Sequence, residues 1–119
     1  MKNLFIAFFA ILTLAACQND LDRNLLIGNW QGSKWTVNGD ANQRDATSVK
    51  FTFNEDGTYT ASYGSQTEQG TWYISGDKLY THAEGQQEKK VRLEELSATK
   101  VVFDMNRAGT SEKMTLVKE

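Results

Sequence analysis

The chain has 119 residues, of which 39% are hydrophobic, and a formal net charge of −2. This length is enough for one domain and too short for two. Its weakly acidic balance gives no electrostatic basis for binding nucleic acid, so no nucleic-acid partner is expected. One Cys and one His exclude a disulfide framework and a zinc site built from Cys and His alone.

The first part of the chain has the pattern of a signal peptide. Lys2 supplies a short positive segment, and residues 4–14 (LFIAFFAILTL) are almost entirely apolar. This segment is too short for a hydrocarbon core of ~30 Å, which needs ~20 residues, and it is typical of a secretory signal. We therefore assign residues 1–16 to a signal peptide, residues 17–24 to a tether and residues 25–119 to the folded domain.

Leu14-Ala15-Ala16-Cys17 ends this segment and resembles the lipobox of bacterial lipoproteins. The resemblance implies that Cys17 carries diacylglycerol, that the signal peptide is cleaved before it, and that the new N-terminus is acylated. Each buried CH₂ adds ~0.8 kcal/mol, so two or three acyl chains hold a protein persistently on a membrane. The alternative is a secreted protein with an accidental Cys after its cleavage site.

The expected location is the cell envelope, with the lipid anchor at Cys17 making the membrane a partner. The outer membrane is favoured, because Gln18 is not the Asp that resembles an inner-membrane retention signal. Whether the protein faces the periplasm or the cell surface is left open.

The segment after the lipobox is predicted to be a short tether. Residues 17–24 are mostly polar and reach at most ~30 Å at ~3.3–3.6 Å per residue, so the domain is expected close to the membrane. Asp20 is a candidate N-cap for a helical turn in which Leu21, Leu25 and Leu26 share one face.

From residue 27 onward, apolar and polar residues alternate with a period of two. The pattern is clearest in residues 49–53 (VKFTF), where one face is apolar and the other polar. Gly-containing turns separate eight such segments at a spacing of about 11 residues, which is typical of an all-β meander. The predicted strands are Ile27–Val37, Ser48–Asn54, Thr58–Tyr63, Glu68–Ser75, Lys78–Ala83, Lys89–Leu96, Lys100–Asn106 and Thr110–Lys118.

Regular strands with short connections must close or stack, because a flat sheet would leave its edges unpaired. Closing consecutive hairpins gives an all-β fold, an eight-stranded antiparallel up-and-down barrel. A barrel of eight strands is filled by side chains or holds one small ligand.

Gly28-Asn29-Trp30, at the start of the first predicted strand, resembles the Gly-x-Trp signature of lipocalins. Residues 51–63 (FTFNEDGTYTASY) and 70–80 (GTWYISGDKLY) are similar to the small lipocalin-like domains of Bacteroidetes lipoproteins. The resemblance implies a calycin-type barrel in which Gly28 and Trp30 belong to the closed end.

In such a barrel, the resemblance further implies that Trp30 packs beneath a cation from the last strand. Lys113 and Lys118 are the two candidates for that cation. A second Gly-x-Trp occurs at residues 70–72, so the short motif by itself is weakly specific.

The sequence lacks a pattern of catalytic groups. The functional interpretation of His82 is a general base or pH switch, and the alternative is a solvated side chain at a strand end. No Ser lies in a nucleophile elbow, and acidic pairs such as Glu55/Asp56 lack the ligand spacing of a Ca²⁺ loop. We therefore predict a protein that is not an enzyme, with no catalytic residue, no metal ligand and no cofactor.

Aromatic side chains and one Met are the candidate ligand contacts. They are expected to face the barrel interior, where they form either the lining of an apolar pocket or a packed core. These candidates are Phe51, Phe53, Tyr59, Tyr63, Trp72, Phe103 and Met105.

Two functions follow from these alternatives. The leading interpretation is non-catalytic binding of a small hydrophobic ligand inside the barrel. The alternative is a filled barrel that binds a protein partner, as an inhibitor or immunity-type envelope factor would. An interior volume below roughly 100 Å³ would favour the second, since ligand pockets run ~300–1,000 Å³.

Overall fold

The computed structural model describes residues 20–41, 45–106 and 109–119. The predicted signal peptide, residues 1–16, and Cys17 lie outside the described residues. The elements are a helix α1 (Arg23–Leu26), a 3₁₀ turn (Ala46–Ser48) and the strands β1 (Gly28–Val37), β2 (Asp40–Ala41), β3 (Val49–Phe53), β4 (Thr58–Tyr63), β5 (Gln66–Ser75), β6 (Lys78–Ala83), β7 (Lys89–Leu96), β8 (Lys100–Asp104) and β9 (Glu112–Lys118).

The strands form one closed antiparallel sheet, so the predicted eight-stranded barrel is confirmed. Sequential strands pair from β3 to β9, and β1 pairs with both β3 and β9. Residues 28–31 of β1 face β3, and residues 30–37 face β9. The ends of the eight predicted strands differ from those observed by at most two residues. The two-residue strand β2, which pairs with the end of β1, was not predicted.

The apolar face of each strand points into the barrel, as the period of two predicts. Across β1, β3 and β4, Trp30 lies opposite Phe51, and Phe51 lies opposite Ala61. All three side chains are buried. Because direct cross-strand neighbours share one face of a sheet, this register collects the apolar side chains in a single core.

Helix α1 covers the end of the barrel where β1 begins, which we call the α1 end. Leu26 is completely buried there. The cap of the helix is Asp22, whose carboxylate accepts a hydrogen bond from the Asn24 backbone N–H. The prediction of Asp20 as the cap was wrong, because Asp20 is engaged elsewhere.

Asp20 and Leu21 bind the turn between β5 and β6. The Asp20 carboxylate accepts a hydrogen bond from the Gly76 N–H (2.6 Å), and the Leu21 N–H donates to the Gly76 carbonyl oxygen (2.8 Å). Leu21 also packs against the core. The described part of the expected tether, residues 20–24, is therefore docked on the barrel.

Trp30 closes the α1 end of the barrel. Its indole N–H donates to the Leu26 carbonyl oxygen (2.8 Å), and the Lys118 ammonium lies 5.1 Å from the ring centroid. The same ammonium donates to the Leu25 carbonyl oxygen (3.2 Å). Gly28 has φ +135°, and a Cβ there would lie 2.7 Å from the Lys118 Cε. Glycine at this position lets the lysine cross the strand to reach the ring.

The second Gly-x-Trp builds a matching contact at the same end. The Trp72 indole N–H donates to the Asn54 carbonyl oxygen (3.0 Å), and the Arg23 guanidinium lies 4.7 Å from the ring centroid. A Cβ on Gly70 would overlap the His82 carbonyl oxygen, so β5 and β6 approach closely only with glycine there. Two buried tryptophans, each beneath a cation, thus hold α1 on the barrel.

We expect the Lys118→Met variant to lose about 1–2 kcal/mol of unfolding free energy, because it removes the cation–π contact and the hydrogen bond to Leu25 while keeping the side chain's length. Lys113→Met is the matched control, since Lys113 is half-buried and pairs with Glu94 (2.6 Å) away from Trp30. Urea unfolding monitored by tryptophan fluorescence would measure both. Equal effects of the two substitutions would contradict the assignment of Lys118 to the closed end.

Candidate functional site

The barrel interior holds a cavity of about 80 Å³ that is partly open to solvent. Its wall is mostly apolar, and its polar groups belong to Tyr63, Glu68, Thr81 and Lys89. The lining residues are Phe51, Tyr63, Glu68, Leu79, Thr81, Lys89, Val91, Phe103 and Met105. Since a water occupies ≈ 30 Å³ of liquid, this space holds roughly two or three waters and not a drug-sized molecule.

Packing around Phe51 explains why the cavity is small. The Phe51 ring stacks on Phe53, with centroids 5.5 Å apart, and meets Phe103 edge-on at the same distance. It also meets Tyr63 edge-on at 5.9 Å. Phe53 in turn lies edge-on to Trp72 at 5.2 Å. These offset and perpendicular contacts are the favoured aromatic geometries, and they fill the middle of the barrel.

The seven candidate ligand contacts divide into two groups. Phe51, Tyr63, Phe103 and Met105 line the cavity. The remaining three are almost completely buried nearer the α1 end and are not among the cavity residues; these are Phe53, Tyr59 and Trp72. Contact of any of the seven with a ligand stays a prediction.

Sequence reasoning missed the polar cavity residues. Glu68 stands two positions before Gly70 and four before the inward-facing Trp72, so the period of two already placed its side chain inward. Thr81 alternates with Leu79 in the same way. Both residues therefore follow the inward pattern of their apolar neighbours although their side chains are polar.

Tyr59 and Glu68 form a hydrogen bond within the barrel. The Tyr59 hydroxyl donates to the Glu68 Oε2 at 2.6 Å. Burial raises the pKa of Tyr59 well above its ordinary value of 10.0. The hydrogen bond to Glu68 and the negative charge of the Glu68 carboxylate raise this pKa further. The hydroxyl therefore stays protonated and holds the Glu68 carboxylate in one position.

A much larger concave space lies on the outside of the barrel, and we call it the outer groove. Its volume is about 770 Å³. Hydroxyl, amide and charged side chains of β3, β4, β5 and the β6–β7 loop dominate its wall. The lining residues are Lys50, Thr52, Thr60, Ala61, Ser62, Thr67, Glu68, Gln69, Glu84 and Gln86.

Beside the outer groove, β5 extends beyond its pairing with β6. Strand β5 pairs with β4 along its first six residues, from Gln66, but with β6 only from Gly70 onward. Beyond that point the Glu84 N–H donates to the Gln69 carbonyl oxygen (2.9 Å). No described strand pairs with the other edge of residues 66–68, so this short stretch is an exposed strand edge beside the groove.

In the part of the chain that is described, His82 and the acidic side chains do not come together as a site. His82 is exposed on the outer face of β6. Among residues 20–41, 45–106 and 109–119, no three His, Cys, Asp or Glu side chains are placed to hold a metal ion. The helices formed by these residues are also too short or too polar to cross a membrane.

A profile of the lipocalin-like domain family matches residues 26–103. The chain belongs to this family. The match starts at Leu26, includes Gly28 and Trp30, and ends within β8. In this lipocalin-like domain the cation over Trp30 is Lys118, which lies beyond the matched range.

Two solved structures share the fold of this lipocalin-like domain. A lipocalin-like protein from Bacteroides uniformis ATCC 8492 has 18% identity and a TM-score of 0.63, over 80% of this chain and 99% of that one. An uncharacterized protein from Bacteroides eggerthii DSM 20697 has 15% identity and a TM-score of 0.62, over 78% and 98%. No curated protein matches the chain.

The Tyr59→Phe variant should change how stability depends on alkaline pH. Because the folded pKa of Tyr59 is raised, its contribution is complete below about pH 10 and declines as the unfolded tyrosine ionises above that pH. We expect the variant to be less stable by about 1 kcal/mol at pH 8, from the lost hydrogen bond, and the difference to shrink above pH 10. Urea midpoints across this range would measure it, and a pH-independent difference would contradict the assignment.

Proposed function

We propose that this protein is a lipid-anchored envelope lipoprotein whose lipocalin-like barrel binds a protein partner on its outer surface. The observation that carries the proposal is the contrast between an interior cavity of about 80 Å³ and an outer groove of about 770 Å³. The interior lies below the roughly 100 Å³ at which a filled barrel becomes the better interpretation, and below the ~300–1,000 Å³ of ordinary ligand sites.

The chemistry of the outer groove suits an extended polypeptide segment. Its wall offers hydroxyl and amide groups, with Lys50 and Glu84 as charges of opposite sign. The exposed edge of residues 66–68 supplies backbone groups of the kind that a partner strand pairs with in β-augmentation. A partner segment lying in the groove would therefore meet both side-chain and backbone hydrogen-bonding groups.

Anchoring at Cys17 is supported by the Leu14-Ala15-Ala16-Cys17 sequence and by the proximity of folded structure. Packing on the barrel already begins at Asp20 and Leu21. Lipidation would therefore hold the barrel within a few residues of the membrane.

Binding of a small hydrophobic ligand is the second candidate, and one observation favours it. The interior cavity has an aromatic wall, with Glu68 and Lys89 as oppositely charged groups among its lining residues. A space of this size takes only one end of an apolar molecule, with the remainder outside the barrel. No catalytic role is proposed for either surface.

A photo-crosslinking residue placed at Gln69 in the host cell should form a discrete covalent adduct with one envelope protein. The same residue at Val117, exposed on β9 outside the groove, is the matched control. With that partner purified, Gln69→Trp should fill the groove and weaken binding about tenfold or more, which is ~1.4 kcal/mol, whereas Val117→Trp should not. Equal labelling at both positions, or equal affinity of both variants, would argue against the groove.

Native mass spectrometry of the protein with a lipid extract of its host envelope tests the ligand candidate. If the interior binds a ligand, a discrete adduct should be present in the wild type and absent in Val91→Phe, because the larger ring fills the cavity. Val117→Phe, with the same change on the outer face, should keep the adduct. A clean spectrum without adducts would remove this candidate; circular dichroism would confirm that Val91→Phe is folded, since overpacking costs about 1–3 kcal/mol.

The Cys17→Ala variant tests the anchor. We expect it to accumulate as uncleaved precursor and to incorporate no labelled palmitate, because the thiol that accepts diacylglycerol is gone. Metabolic labelling and the mass of the product would measure this. Normal processing of the variant would disprove the lipoprotein assignment.

A further inference from the structure

We propose that the outer face of β5, β6 and β7, with Tyr73 and Tyr80 at its centre, lies against the headgroup region of the membrane. We call this surface the tyrosine face. The inference rests on the proposed lipid anchor at Cys17 and adds to it a fixed orientation of the barrel.

The first observation is the place where the chain leaves the barrel. Asp20 is bound to the N–H of Gly76, and Leu21 is bound to the carbonyl oxygen of the same glycine. The chain therefore departs at the β5–β6 turn. Cys17 stands three residues earlier, so its lipid lies at most about 11 Å from Asp20 at ~3.6 Å per residue. The part of the barrel around this turn is therefore the part held nearest to the bilayer.

The second observation is an aromatic pair beside that turn, of which Tyr73 is exposed and Tyr80 is half-buried. Tyr73 and Tyr80 are direct partners across β5 and β6. Their rings stack with centroids 4.7 Å apart and an interplanar angle of 2°. Tyr73 is 49% exposed, and Tyr73 and Val117 are the only exposed large hydrophobic side chains among the described residues. Tyrosine is enriched where a membrane meets water, because its ring is apolar and its hydroxyl is polar.

Beside the pair, Lys90 is the charge that favours an anionic lipid surface. Lys90 is the direct partner of Tyr80, and Lys78 is the direct partner of Arg92, all on the same outer face. Basic side chains of this kind are attracted to anionic headgroups. The acidic groups nearby are Asp77, which pairs with Lys78 and Arg92, Asp104, which also pairs with Arg92, and Glu88, which interacts with the Tyr73 hydroxyl.

The charges at the α1 end indicate which surface turns toward the membrane. Asp22 caps α1, and Glu55 and Asp56 occupy the β3–β4 turn at the same end. The nearby Arg23 is already engaged with the Trp72 ring. Carboxylates are repelled by anionic lipids, whereas Asp77 and Asp104 near the tyrosine face are paired with Lys78 and Arg92. The barrel would therefore tilt from its exit point onto the tyrosine face and not stand on its α1 end.

This orientation leaves the outer groove accessible. Gln69 and Glu84 lie where β5 begins and β6 ends, which is the end of the barrel opposite the β5–β6 turn. A partner would therefore reach the groove from the aqueous side while the lipid anchor is in place.

The orientation can be measured on the full-length lipidated protein in vesicles of phosphatidylethanolamine and phosphatidylglycerol. The chain has one Cys, which the lipid would occupy, so an introduced Cys becomes the single labelling site. A fluorophore at Ser75→Cys, on the outer face of β5, should be quenched several-fold more by headgroup spin-labelled lipid than one at Thr60→Cys. Thr60 is the matched control, because it is exposed on the outer face of β4.

Removal of the aromatic pair tests the cause of the orientation. In a Tyr73→Ser, Tyr80→Ser background, the difference in quenching between positions 75 and 60 should disappear, while in a Val117→Ser background it should persist. Equal quenching at the two positions in otherwise wild-type protein would overturn the proposal, as would an orientation unaffected by loss of both tyrosines. Intact mass separates the two failures: absence of lipid at Cys17 overturns the anchor and with it the orientation, whereas uniform quenching of lipidated protein overturns the orientation alone.

Discussion

The architecture depends on β1, because this strand pairs with β3 on one side and with β9 on the other and so joins the two ends of the sheet. Its first residues also hold the closed end: Gly28 gives Lys118 room to cross, and Trp30 binds both that lysine and the carbonyl oxygen of Leu26. Closure thereby pairs the two ends of the sheet with each other, although residues 66–68 of β5 keep a short exposed edge, and it fixes α1 over one end of the core. Contacts across the interior, such as that between Phe51 and Phe103, follow from that closure, since it determines which strands face each other.

The interior of this barrel is dominated by aromatic packing and not by empty space. Phe51 alone contacts three other described rings within 6 Å of its centroid. A domain of about 100 residues buries a modest share of its surface and depends on large side chains for stability. Stability and a roomy cavity therefore compete for the same residues, and in this chain packing takes most of the volume. The proposed binding of a partner therefore takes place on the outer surface, where β5 extends past β6 beside the polar outer groove.

The strands and their inward positions could be predicted from residues such as Val49, Phe51 and Phe53, because the period of two is a local property of an extended chain. The second Gly-x-Trp shows the limit of this reasoning. In the sequence Gly70 and Trp72 only weaken the specificity of a short motif, whereas in the structure they form a counterpart to the contact at Trp30. The cation over Trp72 is Arg23, which lies 49 residues away in the sequence, so a local sequence pattern does not predict this contact.

Residue types and their short-range spacing were sufficient to predict the fold class, the eight strands, the inward side chains and the candidate anchor at Cys17. The tertiary structure decided that Lys118 and not Lys113 lies over Trp30, that four of seven candidate side chains line a cavity, and that Asp20 is bound to the β5–β6 turn. These outcomes depend on strand register, barrel curvature and contacts between distant segments. They are set by how the whole sheet closes, which the local alternation of polar and apolar residues does not specify.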